Sequence, residues 1–121
     1  MKILVVDDDK LILEAVSFNL KNEGYDVVNA EDGFQVLDII EKEKIDLIIS
    51  DVMMPNISGL GLLNLLKQFY FNKIPVIIIS SLDKTEIIIQ TLGMGAVDFI
   101  AKPIDYKKLL RTVKKHENGK N

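Results

Sequence analysis

Apolar residues in this chain fall into two alternating rhythms. Unbroken runs such as Ile3-Leu4-Val5-Val6, Leu47-Ile48-Ile49 and Val76-Ile77-Ile78-Ile79 have no polar face, as expected of strands covered by helices on both sides. Segments between them repeat their apolar positions every three or four residues, the spacing of a helix face. From Leu11 to Leu20 there are two such rows, Ile12, Val16, Leu20 and Leu11, Ala15, Phe18, closing near Gly24. Leu62, Leu65, Leu66 and Phe69 make another row, and Tyr106, Leu109, Leu110 and Val113 the last, with Asp105 placed to cap it. Weaker signals predict a strand around Tyr25 to Asn29, a helix from about Gly33 to Lys42 and a strand over Asp98 to Ala101. Asp83 with Glu86 three residues on has capping-box spacing for the fourth helix, which Gly93 or Gly95 would end. Pro75 is acceptable as the first residue of the fourth strand.

Strand and helix thus alternate five times, which predicts parallel strands joined by right-handed helical crossovers. The fold class is α/β: one doubly wound domain, a five-stranded parallel sheet with helices on both faces. The domain is expected over residues 1–117, with 118–121 a tail or the start of a linker. The whole run from His116 to Asn121 reads as a frayed end.

Composition narrows the class without deciding it. With 121 residues, 48% hydrophobic and 27% charged, the chain suits one globular domain with a real core. No apolar run approaches the roughly 20 residues of a membrane span, and the first apolar stretch reaches Asp7 too soon for a signal peptide. The absence of cysteine excludes disulfides, thiolate metal sites and a cysteine nucleophile. A cytoplasmic setting fits. A net charge of −3 argues against direct nucleic-acid binding by this domain. The late basic residues Lys107, Lys108, Arg111, Lys114 and Lys115 read as a solvated helix face.

The chemistry is at the strand ends. The first strand runs into Asp7-Asp8-Asp9, the third into Asp51, the fourth into Ser80-Ser81 and the fifth into Lys102-Pro103. In a parallel sheet these C-terminal ends share one edge, where open α/β folds bind ligands. Each residue alone has an ordinary explanation. Asp9 suits a helix N-cap, Asp51 a turn before Pro55, Ser80 a satisfied strand-end hydroxyl and Lys102 a surface lysine. Together they are a site. Carboxylates with only oxygen company suit a hard divalent cation such as Mg²⁺, whereas zinc is disfavoured because His116 is the one histidine. A cation, a lysine and a hydroxyl beside an aspartate suit phosphoryl transfer, with the aspartate as nucleophile. Gly93-Met94-Gly95-Ala96 is not a phosphate-cradling loop, so a nucleotide donor is not expected.

The motifs ILVVDDD, IISDVMMPNISG, PVIIISS and DFIAKP, in this order and spacing, resemble those of response-regulator receiver domains, the flavodoxin-like phosphoacceptor modules of two-component signalling, chemotaxis regulators included. The likeness runs from Lys2 to about Lys115. It implies that Asp51 accepts a phosphoryl group from a kinase phosphohistidine. It implies Mg²⁺ held by Asp8, by Asp7 directly or through water, by Asp51 and by the backbone carbonyl of Met53. Lys102 would pair with Asp51 and then with the phosphoryl group, across a bond to Pro103 that is often cis in relatives. Ser80 would bind a phosphoryl oxygen, and Phe99 stands at the aromatic switch position, although a core or edge phenylalanine is its plainer reading.

Asn56-Ile57-Ser58-Gly59 lacks the acid often found before the glycine, but Ser58 can still cap the next helix. Met53 and Leu82, both apolar, stand where relatives tune water access to the acyl phosphate, so slow autodephosphorylation is expected. Three consecutive isoleucines, Ile87 to Ile89, cannot all be buried on one helix face. Either one fills the interface with the last helix or an apolar patch marks a partner surface. In the family the fourth helix, fifth strand and fifth helix form the output face. The partners implied are a sensor histidine kinase or phosphotransfer protein, a downstream effector or output domain, and a second copy in a phosphorylation-dependent homodimer. Against the dimer, GAVDF has valine where an acid would be expected. No membrane partner is expected.

Two other readings stay open from the sequence. Asp7-Asp8-Asp9-Lys10 also fits the DxD of haloacid dehalogenase-like phosphatases, with Asp7 as nucleophile, although the chain is short for that fold. A receiver-shaped scaffold that is never phosphorylated is the third.

Overall fold

The computed structural model describes residues 1–52, 58–70, 74–82 and 84–117. Five strands and five helices alternate: β1 (Lys2–Val6), α1 (Lys10–Asn22), β2 (Asp26–Ala30), α2 (Gly33–Lys42), β3 (Leu47–Asp51), α3 (Gly59–Tyr70), β4 (Val76–Ser80), α4 (Thr85–Gly93), β5 (Asp98–Ala101) and α5 (Tyr106–Lys115). The strands form one parallel sheet in the order β2-β1-β3-β4-β5. The chain winds outward from β1 in both directions, which makes the fold doubly wound.

Because side chains alternate across a strand, each central strand feeds two cores. Ile3, Val5, Leu47, Ile49, Ile77 and Ile79 face one side, packing with Leu13, Val16 and Leu20 of α1 and Leu109 and Val113 of α5. Leu4, Val6, Ile48, Val76 and Ile78 face the other, packing with Val36 of α2 and Leu62, Leu63 and Leu66 of α3. β3 and β4 are buried at every residue, the physical meaning of their unbroken apolar runs. β2, at the sheet edge, buries only Ala30.

The helix starts follow the expected capping chemistry with one exception. Asp9 accepts the Leu11 N–H at 2.9 Å, Ser58 accepts the Gly61 N–H at 3.0 Å, and Asp105 accepts the N–H groups of Lys107 and Lys108. Asp32 caps α2 by accepting the Gln35 N–H, while Gln35 Oε1 accepts the Glu31 N–H, a reciprocal box absent from the sequence reading. The exception is α4, which begins at Thr85 with Lys84 at the cap position and no side-chain cap. Asp83, and with it the capping box expected there, lies outside the described residues. Gly24 (φ 92°) and Gly95 (φ 110°) take the left-handed conformation after α1 and α4, which residues with a Cβ seldom adopt.

Two expectations need correction. In the α1 row Leu11, Ala15, Phe18, the two large residues face solvent, Leu11 76% and Phe18 65% exposed, and Ala15 is half-buried, while Leu13, Val16, Ser17 and Leu20 are buried. The helix has more apolar rows than its single contact with the sheet can use. His116 is not frayed: it is buried, its Nε2 lies 3.2 Å from Asp98 Oδ2, and the next residue's Glu117 Oε2 accepts from the Tyr25 hydroxyl at 3.3 Å. Polar partners on β5 and before β2 hold a segment whose composition alone reads as a tail.

Gly59 sits where α3 starts hard against the end of β3. Its N–H donates to the Val52 carbonyl at 2.8 Å. A Cβ there would press on the Asp51 carbonyl oxygen and lie 2.8 Å from Val52 Cα. Both obstacles are backbone, so Gly59→Ala is expected to destabilise the domain by about 2 kcal/mol. A urea midpoint equal to that of the unmodified chain would contradict this.

Candidate functional site

The C-terminal edge of the sheet gathers the residues singled out above. Asp7 directly follows β1 and is fully buried, and Asp51 is the last residue of β3 and nearly so. Ser80 ends β4, one residue beyond the Asp51–Ile79 register pair, and is also buried. Lys102 directly follows β5, and its bond to Pro103 is cis. Neighbouring backbone bonds fix these strand ends: Asp7 N–H to Ala30 O, Val52 N–H to Ile79 O and Lys102 N–H to Ser80 O. The side chains are therefore held in place by the ladder of the sheet rather than by flexible loops.

Lys102 Nζ donates to Asp7 Oδ2 at 2.9 Å and to Asp51 Oδ2 at 3.2 Å. With its side chain only 18% exposed, it is no surface lysine. The sequence reading pairs it with Asp51; here it is shared, and the contact to Asp7 is the shorter one. Asp7 Oδ1 also accepts the Asp9 N–H at 2.9 Å. Exposed Asp8 completes an all-oxygen cluster with Asp7 and Asp51, in which carboxylate oxygens from the three residues lie within 4.8 Å of one another.

The electrostatics of the cluster are unbalanced. Burial pushes the Asp7 carboxyl above its ordinary value and the Asp51 charge adds to this, while the Asp9 N–H and Lys102 pull the other way without overcoming it. Burial alone would lower the Lys102 ammonium, but its bond to Asp7 and the charges of Asp51 and Asp7 outweigh that and raise it. The two directions are consistent: the lysine gains two carboxylates, whereas buried Asp7 shares that one lysine with Asp51. A hard divalent cation would relieve this repulsion, and the donor set of clustered carboxylates fits Mg²⁺.

Ser80 Oγ accepts the Leu82 N–H at 2.9 Å, so its own hydrogen remains to donate. Phe99 is half-buried against the second core, and its N–H donates to Asp98 Oδ1. Asp9 is committed to capping α1. The expected carbonyl ligand, Met53, lies outside the described residues. A cavity of about 260 Å³ lies beside the cluster rather than over it, between α1 and the β2–α2 turn, lined by Lys10, Glu14, Asn29 and Glu31 among others. The sequence names Gly59 only as part of a motif; its role, a lack of Cβ that lets α3 approach the Asp51 backbone, comes from the structure. Its signal was a glycine immediately before an apolar helical row.

A family model described as "Response regulator receiver domain" matches residues 3–114. The receiver domain of a Francisella response regulator is 38% identical, the match covering 94% of this chain and 93% of that one with a TM-score of 0.89. A chemotaxis response regulator of Vibrio cholerae is 30% identical over 94% of this chain and 96% of that one, with a TM-score of 0.87. The receiver domain of a signal transduction histidine kinase from Syntrophus aciditrophicus is 33% identical, with 94% and 87% covered and a TM-score of 0.85.

Proposed function

The chain belongs to the response regulator receiver domain family, and on that premise we propose that it is a phosphorelay switch whose phosphoacceptor is Asp51. The supporting observation is the sharing of one ammonium, Lys102 Nζ, between Asp51 at 3.2 Å and Asp7 at 2.9 Å, with Asp8 in the same cluster. In this reading an Asp51 carboxylate oxygen attacks the phosphorus of a donor phosphohistidine in line. The new P–O bond forms as the P–N bond breaks, and the imidazole of a sensor histidine kinase or phosphotransfer protein leaves with the electron pair.

Asp7, Asp8 and Asp51 would hold Mg²⁺, with the Met53 carbonyl as a further ligand. The cation supplies neutralisation of the charge on the phosphoryl oxygens. Lys102, already poised between two carboxylates, moves its hydrogen bond from Asp51 to a phosphoryl oxygen. Ser80 donates its hydroxyl hydrogen to another, and its movement is transmitted to Phe99 on β5. The output face is then α4, β5 and α5. Ile89 is 64%, Leu92 43% and Val97 38% exposed, while Ile87 and Ile88 are half-buried. This apolar patch suits an effector or a second copy of the chain. A cytoplasmic setting accords with the phosphohistidine donor. Among the described residues no helix is long and apolar enough to cross a membrane.

The test is intact mass after incubation with acetyl phosphate, with and without Mg²⁺, for the unmodified chain and Asp51→Asn. One added phosphoryl group, dependent on Mg²⁺ and absent from Asp51→Asn, is expected. No gain with excess donor would favour the unphosphorylated scaffold, and a gain surviving in Asp51→Asn would move the nucleophile to Asp7. A phosphomonoester should not be turned over, since sustained turnover belongs to a phosphatase. Leu82, 41% exposed beside the site, presents an apolar side chain to solvent. With Met53 equally apolar, hydrolysis of the acyl phosphate should take minutes or longer. Decay within seconds, followed by mass or by phosphate release, would contradict the proposed shielding.

A further inference from the structure

The cavity of about 260 Å³ between α1 and the β2–α2 turn has an apolar floor and a polar wall. The floor is Leu13, buried as part of the first core. The wall carries Lys10, Glu14, Asn29, Glu31 and Gln35. Both amides in it are already oriented. Asn29 Oδ1 accepts the hydroxyl of buried Ser17 at 2.8 Å, and Gln35 Oε1 accepts the Glu31 N–H at 2.8 Å. The amide oxygens are thus engaged within the fold, which leaves each NH₂ group with its two donors to offer. The charges are uncommitted as well. Lys10 and Glu14 stand four residues apart on α1, the spacing of a helical ion pair. Yet among the described residues the side chains of Lys10, Glu14 and Glu31 make no ion pair or hydrogen bond.

We propose that this cavity binds a free amino acid, its carboxylate taken by Lys10 and the two amide NH₂ groups and its ammonium by Glu14 and Glu31. Size and charge select this class. At roughly 30 Å³ for each water-sized group, the cavity holds about nine such groups, the bulk of an amino acid and less than most larger ligands need. A simple anion would meet two carboxylates, and a simple amine would leave the lysine and both amides without an acceptor. A molecule carrying both charges answers both sets of groups. One cation against two carboxylates leaves the wall net negative, which favours a basic side chain on the ligand and disfavours an acidic one. Exposed charges alone would make only a solvated surface. Two amides held with their donors free, around an apolar floor, are the arrangement of a small-molecule site.

The test uses the unphosphorylated chain, so its outcome is independent of Asp51 chemistry. An isotope-labelled sample is titrated by NMR with free lysine, alanine and glutamate, and with acetate and ethylammonium as single-charge controls. Lysine is expected to shift the side-chain NH₂ signals of Asn29 and Gln35, with alanine binding more weakly and glutamate most weakly. Lys10→Gln and Glu14→Gln change exposed residues, so both variants should keep the fold and each bind lysine about tenfold more weakly. No movement of the two side-chain signals with lysine or alanine, or unchanged binding by both variants, would overturn the proposal. Tighter binding of glutamate than of lysine would overturn it too. A response to acetate equal to that with lysine would overturn it in favour of an anion site, and an equal response to ethylammonium in favour of a cation site.

Discussion

Lys102→Ala should slow phosphoryl uptake from acetyl phosphate by about a hundredfold or more and destabilise the metal-free domain by about 2 kcal/mol. The kinetic loss follows from removing one donor aimed at the transferring group. The stability loss follows from what remains: Asp7, fully buried, and Asp51, nearly so, would face each other with no cation between them. Breaking a fully buried pair costs about 3–5 kcal/mol; Lys102 is 18% exposed, so solvent screening reduces the figure. Mg²⁺ should then stabilise the variant more than the unmodified chain, because it replaces the missing charge. Lys102→Arg should restore stability better than rate, since a planar guanidinium keeps the charge but not the geometry. Urea unfolding with and without Mg²⁺, beside single-turnover rates, measures both effects. An unchanged rate in Lys102→Ala would remove the lysine from the reaction.

Asp7→Asn should have the opposite effect on the metal-free domain, stabilising it by roughly 1 kcal/mol near neutral pH. Burial, with repulsion from Asp51, holds the Asp7 carboxyl above its ordinary 3.8. The folded chain therefore binds this proton more tightly than the unfolded chain does. The contribution to stability is fully present below the ordinary carboxylate value and is lost as pH rises through the raised folded value. At neutral pH the folded chain retains the repulsion of a buried, only partly compensated carboxylate. Asparagine keeps the shape and removes the charge, so the acid-side advantage should shrink in a pH series of urea midpoints. Mg²⁺ should stabilise Asp7→Asn far less than the unmodified chain, since a donor is lost with the charge. Lower stability of Asp7→Asn across the neutral range would mean that the Lys102 contact outweighs burial.

The fold was legible because it depends on patterns that local sequence carries. Runs such as Val76-Ile77-Ile78-Ile79 have no polar face and so must be covered on both sides, and five such alternations leave few topologies. The gathering of Asp7, Asp8, Asp51 and Lys102 was legible for the same reason, because parallel strands bring their ends to one edge. What local pattern could not carry was competition between surfaces. α1 offers apolar rows to one sheet face, and which row is buried depends on the angle at which it packs, so Leu11 and Phe18 ended outside. His116 looked like a tail residue because its partner, Asp98, is on β5, in a different element. The sharing of Lys102 between two acids likewise depends on distances across the sheet that spacing along the chain does not encode.

Identification of the phosphorylated side chain tests the central proposal most directly. An acyl phosphate on aspartate is reduced by borohydride to homoserine, so the acetyl phosphate-treated chain would be reduced, digested and sequenced by mass spectrometry. Homoserine at position 51, only when Mg²⁺ and donor were both present, is the expected result. Homoserine at position 7 or 8, or none in a sample that had gained a phosphoryl group, would contradict the assignment of Asp51.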